Sequence, residues 1–292
     1  MSYQPSPRPT FDGPTPISYA GVTRHLWGDL ASGEVADWIY VSSDKIHQIV
    51  FGLPPGGVFR HSEAYRTIFA ADEVLYVLAG TLVLSNPQTG EVHLLRPGEA
   101  AFFRRDTWHH AWSYGEDALR VLELFAPPPS QGTSGAYART KEFLVDPRYV
   151  QDEWLGRWPM DRAEAAAGQT IQALRAGDVL WRMEGGERPA LVGILASTEH
   201  LTAGTMRLLP GQRSEPQVHG GAESLYVLSG TLNVRLHEHP GPCWFELAPK
   251  DGFYLPEGAV HQYYNVTAAP VEFIFGVAPR YLPDAAPAGE RG

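Results

Sequence analysis

The stretch PQVHGGAESLYVLSG, residues Pro216 to Gly230, puts a histidine four residues ahead of a glutamate and follows the pair with an apolar run that stops at Ser229 and Gly230. On an extended strand the side chains alternate faces, so Gln217, His219, Gly221 and Glu223 point one way, together with Leu225 and Val227. An unpaired carboxylate on such an apolar face is costly, so Glu223 calls for a partner. A second stretch, KDGFYLPEGAVHQYYN from Lys250 to Asn265, has a Pro-x-Gly turn followed by another histidine, and there His261, Tyr263 and Asn265 share a face. If the two strands meet inside one barrel, two imidazoles and a carboxylate surround a point. That donor set suits a divalent first-row metal with open coordination positions. Gln217 would then supply a fourth oxygen or line the cavity as a catalytic group, with Tyr263 beside it.

Working outward, the pattern occurs twice. EVLYVLAGTLVLSNP from Glu73 answers ESLYVLSGTLNVRLH from Glu223 at a displacement of 150 residues, and RPGEAAFFRRDTWHH answers APKDGFYLPEGAVHQ at 152. Short runs rich in Val, Leu, Tyr and Phe, punctuated by Gly, Pro, Asn and Asp, are strand signals, and a duplicated set of them predicts an all-β chain of two small antiparallel barrels. The expected organisation is an N-terminal arm with leading strands over 1–45, a first domain over 46–128, and a linker over 129–200. A second domain over 201–279 and a tail over 280–292 complete it. Within the linker, DRAEAAAGQTIQALRAG from Asp161 reads as a helix despite Gly168, and ALVGILAS reads as a strand leading into the second domain.

The bulk properties narrow the function. The 292-residue chain has 43% hydrophobic and 19% charged residues, a globular balance, and a formal net charge of −10 with no basic stripe for a phosphate backbone. Nucleic acid is therefore not expected as a partner. Cys243 is the single cysteine, which leaves no intrachain disulfide or thiolate cluster and fits a reducing cytoplasm. No run approaches the roughly 18 apolar residues of a membrane span, and the opening residues lack a secretory apolar core and read as an irregular arm.

The residues resemble the cupin superfamily. Its first motif, G-x5-H-x-H-x3,4-E-x6-G, is met by Gly211, His219, Glu223 and Gly230, with Gln217 in place of the first histidine. Its second, G-x5-P-x-G-x2-H-x3-N, is met by Pro256, Gly258, His261 and Asn265, with Lys250 in place of the leading glycine. The resemblance implies two jelly-roll (double-stranded β-helix) barrels, a bicupin, with one divalent metal in the second domain on His219, Glu223 and His261. Fe(II) leads, and Mn(II), Ni(II) or Zn(II) are alternatives. Around it Trp244, Tyr254, Phe273 and Phe275 offer an aromatic wall, while Arg207 and Arg235 offer cations for a substrate carboxylate. His237 and His239 precede Pro240 and Gly241 and belong to a turn.

In the first copy Thr67 and Phe69 stand where the motif has histidines, and Arg104, Arg105 and Asp106 replace the Pro-x-Gly turn. Glu73 and His109 alone remain, a degraded site with too few ligands, unless His61 folds back to join them. Arg104, Arg105 and Trp108 are candidates for bracketing an anion, and His110 faces outward by parity with His109. Three functions fit. The first is a non-haem metal dioxygenase cleaving a carbon–carbon bond of a small aromatic or dicarbonyl substrate with dioxygen. The second is a redox-neutral isomerase, decarboxylase or lyase acting on a hydroxy or keto acid. The third is a non-enzymatic ligand-binding module. A homo-oligomer, most simply a dimer, is expected from the apolar strands and the N-terminal arm.

Overall fold

The computed structural model describes residues 6–128, 136–187 and 189–283. The first five residues of the arm and the tail from 284 onward lie outside the described residues. The chain forms two units: one takes the chain up to Pro9, Val22–Ser42 and His47–Val179, the other Thr10–Gly21, Ser43–Ile46 and everything from Leu180.

In the first unit a seven-stranded sheet runs in the order Ile171–Leu174, Ala100–Phe103, Asp72–Ala79, Leu119–Ala126, His47–Leu53, Gly33–Ser42 and Thr23–Asp29. It is accompanied by a four-stranded sheet of Val58–Phe59, His110–Ser113, Leu82–Ser85 and Val92–Leu95. In the second unit the corresponding seven-stranded sheet runs Thr15–Ile17, Gly252–Leu255, Ala222–Ser229, Val271–Ala278, Thr202–Leu208, Ala190–Ser197 and Leu180–Glu184. Its companion is the three-stranded sheet Trp244–Leu247, Leu232–Leu236 and His261–Tyr264. Adjacent strands pair antiparallel, as in Glu223 opposite Leu255 on one side and Val277 on the other. Each unit is a jelly-roll barrel, the all-β duplication that the repeat predicts.

The alternation that defines the barrels is visible in the opening stretch. Leu225 and Val227 are fully enclosed and join Phe253, Leu255, Tyr263, Phe273 and Phe275 in one apolar interior. The strand ends because Gly230 turns with φ +74°, where a side chain would also stand 2.4 Å from the Pro270 carbonyl oxygen.

The helix foreseen over 161–177 is confined to Arg162–Ala167 and stops at Gly168. The β-branched Ile171 that follows opens a strand, Ile171–Leu174, which gains a full ladder against Ala100–Phe103 of the first barrel. The N-terminal arm is also not wholly irregular: Thr15–Ile17 adds an edge strand to Gly252–Leu255 of the second barrel. Each repeat thus lends the strand ahead of it to the other barrel. No helix among the described residues is long and apolar enough to cross a membrane.

Candidate metal centre

In the second barrel the segment before Ala222 is pinned to the strand His261–Tyr264 by reciprocal backbone bonds. Gln217 N donates to the His261 carbonyl at 2.7 Å and His261 N to the Gln217 carbonyl at 3.0 Å. That register carries His219, two residues on, into the mouth of the barrel. The turn Pro256–Gly258 delivers His261 to the same place, its Gly258 N donating to the His219 carbonyl at 3.2 Å. Asn265, the last residue of the second motif, is occupied with the backbone: its amide donates to the Leu208 and Ala269 carbonyls, and its oxygen accepts from Thr267. Its part is to shape a turn.

The three donor atoms converge. Glu223 Oε2 lies 3.4 Å from His219 Nε2 and 3.2 Å from His261 Nε2, and Glu223 and His261 are 2% and 1% exposed. The tautomers follow from the far side of each ring. His219 Nδ1 donates to the Tyr281 carbonyl at 2.7 Å and His261 Nδ1 to the Ala259 carbonyl at 3.0 Å, which turns both Nε2 lone pairs toward the carboxylate. Tyr263 donates its hydroxyl to the other carboxylate oxygen, Oε1, at 2.7 Å. Apart from these contacts with one another, Glu223 Oε2 and His261 Nε2 have no hydrogen-bond partner. Three acceptors aimed at one point require a cation between them, a proton or a metal ion, and the residues fit a divalent metal.

The electrostatics agree. Burial pushes the Glu223 carboxyl up, but the charges and hydrogen-bonding groups of His219 and His261 outweigh it and hold the group well below its usual range. For His219 burial lowers the value, while the Glu223 charge and the Tyr281 carbonyl raise it above the ordinary 6.5. In the metal-free barrel, Glu223 therefore contributes stability above its usual value of 4.5, lost only as pH falls through its depressed value. His219 contributes stability below 6.5, lost as pH rises through its raised value. A metal ion must displace the His219 proton. Its apparent affinity should climb up to about tenfold per pH unit until pH passes that raised value, then level off. Titration of the metal-free chain with Zn(II) from pH 5.5 to 8.5 checks this, and a flat profile contradicts it.

Two stretches of the chain, residues 50–125 and 204–277, match the family described as Cupin domain. The chain belongs to the cupin family. Among solved structures it resembles a putative glyoxylate-induced protein from Pseudomonas aeruginosa, with a TM-score of 0.63 and 15% identity over 95% of this chain and 93% of that one. It also resembles the oxalate decarboxylase of Lactobacillus farciminis (TM-score 0.61, 16% identity, 96% and 90% covered). A single-site mutant of the oxalate decarboxylase of Bacillus subtilis is a third (0.60, 16%, 92% and 78%). At these identities the likeness establishes the bicupin fold. Comparison with curated protein sequences gives no significant match.

The mouth of the second cupin barrel differs from the wall expected for it. A cavity of about 340 Å3 beside His219 is lined by Arg182, Glu184, Glu215, Gln217 and Tyr281 among others. Gln217 donates its amide to Glu184 Oε2 at 2.9 Å, Tyr281 donates its hydroxyl to Glu184 Oε1 at 2.6 Å, and Arg182 Nε stands 3.2 Å from the same oxygen. Trp244 is exposed and packs on Tyr264. Tyr254 packs near Phe11 on the face of its strand opposite the interior residues Phe253 and Leu255. Phe273 is enclosed against Tyr263, and Phe275 stacks on Tyr281. Arg207 and Arg235 are exposed, Arg235 reaching the Tyr264 hydroxyl at 3.5 Å. Strand parity explains each displacement, since every one of these except Phe273 and Phe275 falls on the outward face. His237, placed beyond its strand, meets Gln262 and not the donor set.

The first cupin barrel is less degraded than two residues suggest. Glu73 and His109 are joined by Glu123 on the strand Leu119–Ala126, and one ligand atom from each lies within 4.8 Å of the others. Burial, reinforced by the neighbouring Glu123 charge, raises the Glu73 carboxyl, and burial carries Glu123 to about 8 and lowers His109 to about 4. Glu123 had a sequence signal: in LRVLELFA it shares parity with the interior residues Val121 and Phe125. His61 does not join the cluster. Its Nδ1 lies 2.7 Å from His110 Nε2 and its Nε2 2.8 Å from the Leu144 carbonyl, so His110 is fully buried by this contact instead of facing solvent. Arg104 pairs with Asp72 at 3.1 Å and Arg105 with Asp106 at 3.6 Å, while Trp108 packs with Ile68 and Ala138. These are structural engagements in place of the anion bracket.

Proposed function

We propose that the second barrel is a metal-dependent, redox-neutral enzyme site for a small hydroxy or keto acid, catalysing isomerisation, decarboxylation or lyase chemistry. The observation that carries this reading is Glu184: a carboxylate held at the cavity wall beside Gln217 and His219 by three separate groups. Reactions of this class move protons, and a positioned carboxylate is a suitable general base and acid. His219, Glu223 and His261 would hold the ion. A divalent ion there would supply Lewis acidity, binding adjacent substrate oxygens and stabilising negative charge as it develops. Glu184 would take a proton from the carbon or hydroxyl beside the bound carbonyl and return it to the product. Gln217 orients Glu184 through its amide, and Tyr263 fixes the Glu223 carboxylate from inside. The mouth sets the charged and polar groups Arg182, Glu184, Glu215 and Gln217 beside the apolar Met183, Val218 and Leu282.

Gln217→Ala should keep the metal and lower kcat/KM by about tenfold to a hundredfold, because it removes the group that orients Glu184 Oε2 while Tyr281 and Arg182 still hold Oε1. Steady-state kinetics with metal content determined on the same samples checks this, and unchanged kinetics contradicts it. The function itself is tested by a panel of hydroxy and keto acids in D2O with the metal-loaded chain. Deuterium entering the product without oxygen consumption supports the proposal.

A second reading, a dioxygenase acting on a dicarbonyl or catechol-type substrate with Fe(II), is favoured by the small number of protein donors. Two imidazoles and one carboxylate leave adjacent positions for both a chelating substrate and a second molecule. One equivalent of oxygen consumed per product would establish it in place of the first.

A further inference from the structure

The interior of the first barrel has been rebuilt relative to the second. Where the second barrel has His219, the first has Phe69. Where the second has Phe275 on its last strand, the first has Glu123 at the matching place on Leu119–Ala126. The registers extend the comparison to a third position. Asp37 lies opposite Phe51, itself opposite Val121, as Val192 lies opposite Met206 and Met206 opposite Phe273, so Asp37 replaces an apolar Val192. Compared with the second barrel, the first has Phe69 in place of an imidazole and two further carboxylates, Glu123 and Asp37, on other strands.

We propose that the first barrel holds a hard divalent cation on Glu73, Glu123 and His109, with Glu123 supplying from the last strand the ligand that Phe69 no longer gives. Four observations carry this. The three donor atoms are mutually within 4.8 Å. Glu73, His109 and Glu123 are 1%, 1% and 5% exposed, and Glu73 Oε2, 3.9 Å from His109 Nε2, has no hydrogen-bond partner. A cavity of about 30 Å3 beside His109 and Glu123, enough for one water or one ion, is lined by Asp37 and His47 and also by Arg8 and aromatic rings including Phe69 and Phe125, and Asp37 Oδ1 is likewise without a partner. Finally, two buried carboxylates balance a divalent charge, whereas left to themselves they repel unless they share a proton. Two oxygens and one nitrogen favour Mn(II) or Fe(II) over softer ions.

The test is titration of the metal-free full chain with Mn(II), free ion being read by electron paramagnetic resonance. The wild type should bind two ions, His219→Ala one and Glu123→Phe one, the last restoring the residue of the other barrel. Glu123→Gln, which keeps the volume, guards against misfolding and should also bind one ion. The double variant His219→Ala with Glu123→Gln should bind none. If His219→Ala abolishes all binding, or Glu123→Gln still binds two, the first barrel is not a metal site. An infrared band of a protonated carboxyl that persists at saturating Mn(II) and vanishes in Glu123→Gln would likewise overturn the proposal, in favour of a carboxyl pair sharing a proton.

Discussion

Glu223→Gln should strip the second barrel of its ion and abolish turnover, although the substitution changes almost no volume. Glu223 is the single anionic donor among the three atoms that converge there, and its Oε2 is the point both imidazoles face. The amide keeps an oxygen to accept from Tyr263, so the fold should survive, but the charge that offsets a divalent ion is gone. Outer groups that merely orient ligands cost about 10- to 100-fold in metal affinity when removed, so loss of the charged ligand itself should exceed about 100-fold. His219→Ala should act in the same direction. His237→Ala is the control, since its ring meets Gln262 outside the donor set. Metal content after dialysis, measured beside thermal unfolding, separates loss of ion from loss of fold. Equal metal in the Glu223, His219 and His237 variants would mean that the ion sits elsewhere.

The second large effect is expected at Glu184. Glu184→Gln should lower kcat by about 10²- to 10⁴-fold, the usual contribution of a positioned general base, while metal content stays at the wild-type level. The amide can still take a hydrogen bond from Tyr281 at one end, so the cavity wall is retained, but it cannot carry a proton. Solvent exchange discriminates catalysis from mere positioning: deuterium incorporation from D2O into the product, present with the wild type, should be lost in the variant. A fall in kcat with exchange intact would make Glu184 a positioning residue, and no change in either would remove it from the site.

The two most informative parts of the site differed in how readable they were. His219 and Glu223 lie four residues apart on one extended segment, so alternation alone puts them on one face, and the Pro-x-Gly turn fixes where His261 must enter. Glu184 has no such local cue. It sits on an edge strand, Leu180–Glu184, and reaches Gln217 only because that strand pairs with Ala190–Ser197, a non-local arrangement that periodicity does not report. Glu123 was readable by parity, yet a lone acid in the run LRVLELFA is easily taken for an outward residue among core neighbours. The aromatic wall failed for the opposite reason. Trp244 and Tyr254 are abundant contact formers in sequence, but alternation and an added edge strand place both outside the barrel. Likewise the helix over 161–177 was outweighed by a tertiary pairing, the ladder of Ile171–Leu174 with Ala100–Phe103. Local pattern thus located the donor atoms, while the groups around them depended on which strands the barrels recruit.

The central claim, that His219, Glu223 and His261 bind a divalent ion in the second barrel, is tested most directly by anomalous diffraction from crystals of the full chain grown with Mn(II) and recorded at the manganese edge. A peak is expected in contact with His219 Nε2, Glu223 Oε2 and His261 Nε2. Crystals saturated with the ion that show no peak at those three atoms would contradict it.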